Sequence, residues 1–144
     1  MFGGKWLTIT MPELADFADQ RFLENHCFDF GGVDVVDGDT LLRVDFDPAP
    51  VVRTPDVGGT IYLDPKTYQL RLTHVSLVNL TKQLRSQISG QSIRVKFKEA
   101  AAGVPIIDAV SSVVFPRDDG KGHALEPATE EQRALSVRFL KGKP

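Results

Sequence analysis

Apolar positions along the chain repeat with two different periods, and the change between them divides a helix from a set of strands. Leu14, Phe17, Ala18 and Phe22 recur at three- and four-residue spacing, while Asp16, Asp19, Gln20 and Glu24 take the other side. This pattern predicts a short amphipathic helix over residues 12–25. Thr10 and Glu13 precede it at capping-box spacing, the hydroxyl taking one orphan N–H and the carboxylate another. From Cys27 the period falls to two. Phe28, Phe30, Val33 and Val35 lead to a turn at residues 36–40, and Leu42, Val44 and Phe46 return from it, which predicts a β-hairpin. Pro48 and Pro50 end the second strand, because proline lacks the ladder N–H.

A second hairpin follows over residues 59–77, with strands at 60–64 and 68–77 and a turn built on Asp64, Pro65, Lys66 and Thr67. Ile61 and Leu63 project from one face of its first strand, and Leu70 and Leu72 from one face of its second, opposite Gln69, Arg71 and Thr73. In residues 79–90, Leu80, Leu84 and Ile88 suit either a helical turn or a loop. Strict alternation over residues 92–98 predicts a strand with Arg94, Lys96 and Lys98 on its exposed face. It continues through Gly103 into a partner strand at residues 106–115, closed by Pro116. Residues 117–123 read as a surface loop, 126–132 as a short helix, and 134–140 as a last strand in which Leu135, Val137 and Phe139 alternate. The elements together predict an α+β domain, mainly β, with an antiparallel sheet of hairpins and one N-terminal helix packed on it.

Composition narrows this reading without naming a reaction. At 144 residues and 42% apolar content, the chain is expected to form a single domain over residues 1–144, with a core that folds without staples. Seventeen basic against nineteen acidic residues, mixed along the chain, give a net charge of −2 and no footprint for nucleic acid. No apolar run reaches the roughly 18 residues that span a bilayer, and Met1 to Trp6 lack the basic-then-apolar order of an export signal. With one cysteine and three scattered histidines, no cofactor and no metal site is expected.

Four constellations could carry chemistry. Asp34, Asp37 and Asp39 lie around Gly38, but their spacing fits a tight turn better than a calcium loop. His26 beside Cys27 could activate a thiol, with Asp45 as the carboxylate of a hydrolase-like site. Neighbours on a strand face opposite ways, so Cys27 reads better as a buried structural cysteine. Arg43, Asp45 and Asp47 share a strand face, as acid–base partners or as solvated charges. Arg71, Arg94, Lys96 and Lys98 form a basic stripe that meets an anionic partner or protects a sheet edge.

Three motifs stand in order: Phe22 to Phe28 as F-x-x-x-H-C-F, an apolar strand ending in Phe46, Asp47 and Pro48, and Asp56 to Asp64 as D-x-x-G-x-(L/I)-(W/Y)-(L/V)-D. They resemble the β-rich region that follows the carboxypeptidase-regulatory-like domain in bacterial envelope proteins. The resemblance spans about residues 10–116, and Asp108-Ala109 departs from it where the family shows an aromatic residue. It implies an exported, cell-envelope protein. Its curled sheet is in turn similar to lipoprotein-carrier half-barrels, which by analogy implies a half-barrel-like form and an apolar face for acyl chains or a partner segment. On this reading the chain is a non-catalytic binding module for a hydrophobic, lipid-like or protein ligand. Leu42, Val44, Phe46, Ile61, Leu63, Leu70 and Leu72 would line or support the face, or else form only the core. The alternatives are the hydrolase-like site and an assembly component that pairs through an edge strand.

Overall fold

A computed structural model describes residues 15–117 and 126–140. The protein is mainly β, and its described residues form seven antiparallel strands in one unclosed sheet whose order follows the chain. The strands are β1 (His26–Val36), β2 (Asp39–Pro48), β3 (Asp56–Leu63), β4 (Leu70–Val78), β5 (Ile88–Ala101), β6 (Val104–Pro116) and β7 (Ala128–Arg133). Two six-residue helices, α1 (Gln20–Asn25) and α2 (Lys82–Gln87), lie before β1 and between β4 and β5. No helix among the described residues is long and apolar enough to cross a membrane.

The N-terminal helix is shorter than its periodicity predicts. A 3-10 turn at Asp16–Ala18 breaks at Asp19, whose backbone is extended. Asp19 then caps α1, its carboxylate accepting from the N–H of Arg21 at 2.8 Å and of Phe22 at 3.3 Å. The capping box at Thr10 lies outside the described residues. The predicted helical turn after Asn79 is α2, capped by the Thr81 hydroxyl. Two expectations near the C-terminus are overturned. Residues expected as a short helix form β7, pairing with β6 from Ala109↔Arg133 to Val114↔Ala128, and residues 134–140, expected as a strand, have no regular structure.

The sheet is bent. Strand spacing of about 4.8 Å puts β2 and β5 roughly 14 Å apart in a flat sheet. Asp37, at the tip of the β1–β2 hairpin, nevertheless meets Lys96 of β5 at 2.5 Å and Arg94 at 3.5 Å. The hairpin tip therefore folds over the face that carries those two cations.

Packing is concentrated at the opposite end, beneath α1. Phe46 is 1% exposed and shares a cluster with Val57 and Val75. Phe17, Phe22 and Phe28 surround its ring at centroid distances of 5.6, 5.9 and 5.8 Å. Short helix and long strands are thus tied by aromatic burial, since six residues of isolated helix have little stability of their own.

Candidate functional site

Cross-strand partners point to the same side of a sheet, so the register decides which predicted residues share a face. Leu42↔Leu63, Val44↔Ile61 and Phe46↔Gly59 place Leu42, Val44, Phe46, Ile61 and Leu63 together. Leu72 departs from that row. A register shift between Tyr62 and Leu63 pairs Leu70 with Leu63 but Leu72 with Tyr62, which is itself opposite Arg43. Leu72 is buried on the other face, and with Leu41 it borders a groove of about 570 Å³ rimmed by charge.

That groove answers the basic stripe. Arg71 donates to Asp64, Arg94 and Lys96 to Asp37, and Lys98 to Asp108. Each cation of the stripe is neutralised within the protein. Lys96 holds the Asp37 carboxyl below the usual range, and the backbone N–H groups of Thr67 and Lys66 do the same for Asp64 in the β3–β4 turn. In the Asp34–Asp39 segment the turn is Asp37-Gly38, with Asp37 at a φ of 50°, and Asp34 and Asp39 lie in the flanking strands. Asp34 faces Arg43 and Asp37 faces Lys96. Among the described residues no group of three or more His, Cys, Asp or Glu side chains could hold a metal ion.

Arg43 and Asp45 form a tight pair. Arg43 Nε donates to both Asp45 oxygens at 2.9 and 3.1 Å, and the Thr60 hydroxyl donates to Asp45 Oδ1 at 2.6 Å. The hydrogen bond from Thr60, joined by Arg43, lowers the Asp45 pKa, so this carboxylate accepts from fixed donors. Asp47 lies exposed two residues on.

His26 and Cys27 part company as strand alternation requires, but Cys27 is exposed, correcting its expected burial. The reason is its register. Cys27 pairs with Asp47 and Asp29 with Asp45 on the side away from Phe46 and from the aromatic cluster under α1. His26, its side chain 3% exposed, turns inward and stacks on Phe22 at 4.0 Å. Its Nδ1 lies 2.8 Å from the Phe22 carbonyl, and its Nε2 lies 3.1 Å from the Val57 carbonyl and 3.4 Å from Asp56 Oδ1. The sheet separates this ring from Cys27 and Asp45. The three sequence motifs therefore meet here through Phe22, His26 and Phe28, Phe46, and Asp56, in an aromatic and hydrogen-bonded knot.

Sequence reasoning passed over the outer edge of β1. Phe28 and Phe30 sit at even positions and Val33 and Val35 at odd ones, so a regular strand would point them to opposite faces. A β-bulge at Gly31 absorbs one residue: Phe30 pairs with Val44 and Val33 with Leu42, both on the Phe46 side. Gly32 takes a φ of 90°, and a Cβ at Gly31 would stand 2.9 Å from Asp45 Oδ2. Two adjacent glycines in an alternating strand were the available signal. The result is a strand of 11 residues, outermost among the described strands, that shows Phe30, Val33 and Val35 on one side at 69, 55 and 73% exposure.

Comparison with protein-family models, with curated proteins and with solved structures returns no match to this chain.

Proposed function

We propose that the chain is a non-catalytic interaction module that binds an extended protein segment by strand addition along β1. The observation that supports this most directly is the β1 edge itself. Among the described residues it is long and outermost, and its bulge gathers three exposed apolar side chains beside a row of backbone groups that no described strand pairs. The other edge, β7, carries Glu130, Glu131 and Arg133 within six residues, charges that discourage pairing. A lipid-like ligand has less support. One end of the apolar face is filled by Phe17, Phe22 and Phe28, and the groove beside Leu72 is rimmed by lysine and aspartate.

The occupant we assign is a segment with apolar residues at alternate positions, and the chain carries one. Residues 134–140 are irregular, with Leu135, Val137 and Phe139 exposed at 97, 43 and 60%. Laid along β1 of a second copy, they would cover Phe30, Val33 and Val35 and complete the ladder. Such a contact joins unlike surfaces, so it builds chains or rings rather than a two-fold dimer. The resemblance of the three motifs to envelope proteins supports an extracytoplasmic setting for this activity.

Native mass spectrometry and sedimentation velocity of the whole chain provide the test. The expected result is association that grows with concentration and is suppressed by excess synthetic peptide of residues 132–140. Val33→Lys and Val137→Lys should each abolish it while leaving the circular dichroism spectrum unchanged. A monomer at every concentration that also ignores the peptide would refute the proposal.

A further inference from the structure

The end of the sheet beneath α1 and α2 gathers a second feature, independent of the β1 edge. Arg53 lies in the loop between β2 and β3, Arg85 in the last turn of α2, and Arg117 directly after β6. They are separated by 32 residues at each step, yet all three line one open depression of about 690 Å³. The meander explains the convergence: every second connection of an antiparallel sheet returns to the same end. Hydrogen bonds to backbone carbonyls then fix the three segments together. Asn79 Nδ2 donates to the Val52 carbonyl at 3.0 Å, the Arg117 N–H donates to the Gln87 carbonyl at 3.0 Å, and the Ser89 hydroxyl donates to the Phe115 carbonyl at 3.2 Å.

The charge balance of this depression differs from that of the rest of the surface. Arg43, Arg71 and Arg94 are each matched by an aspartate. Among the described residues no aspartate or glutamate lines the depression, and no side-chain hydrogen bond or ion pair engages Arg53, Arg85 or Arg117. Three guanidiniums that no described acid pairs with line one depression, and a multivalent anion suits such a surplus of positive charge. Asn79 and Ser89 add neutral polar groups, while Val52, Leu77, Val78 and Leu80 form an apolar wall.

We propose that this depression is an oxyanion site for a phosphoryl group. A guanidinium presents paired N–H donors in a plane that matches two oxygens of a phosphoryl group. A terminal phosphoryl group offers three oxygens and up to two negative charges, enough for three such partners, whereas a carboxylate offers two oxygens and one charge. The apolar wall suits a phosphate ester whose organic part lies against Val52 and Leu77. That chemistry belongs both to soluble phosphate esters and to phosphatidic acid head groups.

Two probes separate these sources. Inorganic phosphate and pyrophosphate, titrated into the whole chain and followed by calorimetry and by arginine side-chain NMR, should bind and perturb the Nε–Hε signals of Arg53, Arg85 and Arg117. Arg85→Gln and Arg117→Gln should each weaken pyrophosphate by about tenfold, the loss expected for one charge-assisted contact, and Lys66→Gln at the far groove should leave it unchanged. Co-sedimentation with phosphatidylcholine vesicles, with and without phosphatidic acid, supplies the second arm. Recruitment that is lost in the same variants assigns the site to a lipid head group, and soluble binding alone assigns it to a free phosphate ester. Asp118 and Asp119 follow Arg117 in the sequence, so the unmodified chain is the critical sample. Absence of binding in both arms, or binding that the arginine variants leave unmoved, overturns the proposal.

Discussion

Phe46→Ala is expected to be the most damaging single truncation, costing about 3 to 5 kcal/mol. The ring is 1% exposed, and four rings surround it, those of Phe17, Phe22, His26 and Phe28. They belong to the N-terminal segment and β1. Removing it opens a cavity that these rings cannot fill together, because Phe22 is held in place by its stack on His26 and His26 by two backbone carbonyls. For a chain of this length, such a loss lowers the melting temperature by roughly 10 °C or more. Phe46→Leu keeps most of the volume and should cost about 1.5 kcal/mol. Thermal and urea denaturation measure both. A Phe46→Ala loss below about 1 kcal/mol would mean that this cluster is not the core.

Gly59→Ala should be nearly as severe for a different reason. A Cβ at Gly59 would stand 2.0 Å from the His74 carbonyl oxygen and 3.0 Å from the Val75 Cα. These are backbone atoms of the paired strand, so no side-chain rotation relieves the clash. β3 and β4 would have to separate where Gly59 pairs with Val75, beside the buried Val57 and Phe46. Overpacking of this kind costs about 3 kcal/mol, and loss of the native fold is the upper outcome. Gly90→Ala is the control, since nothing lies within 4 Å of its added Cβ. Equal melting temperatures for the two variants would contradict the β3–β4 register.

These positions also show what could be read from the sequence and what could not. Alternation through Val33, Leu42, Ile61 and Val95 predicted the hairpins, because a half-buried strand must separate its faces. The β1–β2 and β3–β4 turns followed from Asp37-Gly38 and Asp64-Pro65 for the same local reasons. The misses arise where pairing overrides composition. β7 reads Ala-Thr-Glu-Glu-Gln-Arg, good helix formers with no apolar alternation, and only its ladder to β6 makes it a strand. Residues 134–140 show the alternation of a strand, but beyond the Ala134 N–H, which donates to the Asp108 carbonyl of β6 at 2.8 Å, they take no regular structure. Period two puts Leu72 on the face of Leu70, but a bulge at Arg71, invisible to that pattern, turns it to the other.

The site was legible in part. His26 and Asp56 stood out in the motifs, but their separation of thirty residues concealed that they meet across β1 and β3. The β1 edge escaped notice because its apolar residues change parity at Gly31, and strand order alone decides that β1 is outermost. A net charge of −2 argues against an anion site, yet among the described residues charge is segregated: aspartates pair with Arg71, Arg94, Lys96 and Lys98, while Arg53, Arg85 and Arg117 line the depression at the opposite end.

Amide hydrogen exchange of the whole chain, compared below and above the concentration at which it associates, tests the β1 edge most directly. Strand addition predicts new protection at the β1 amides that point away from β2, between Asp29 and Val35, and at alternate amides of residues 134–140, with β3 and β4 unchanged. Association that leaves β1 exchange untouched would contradict the account.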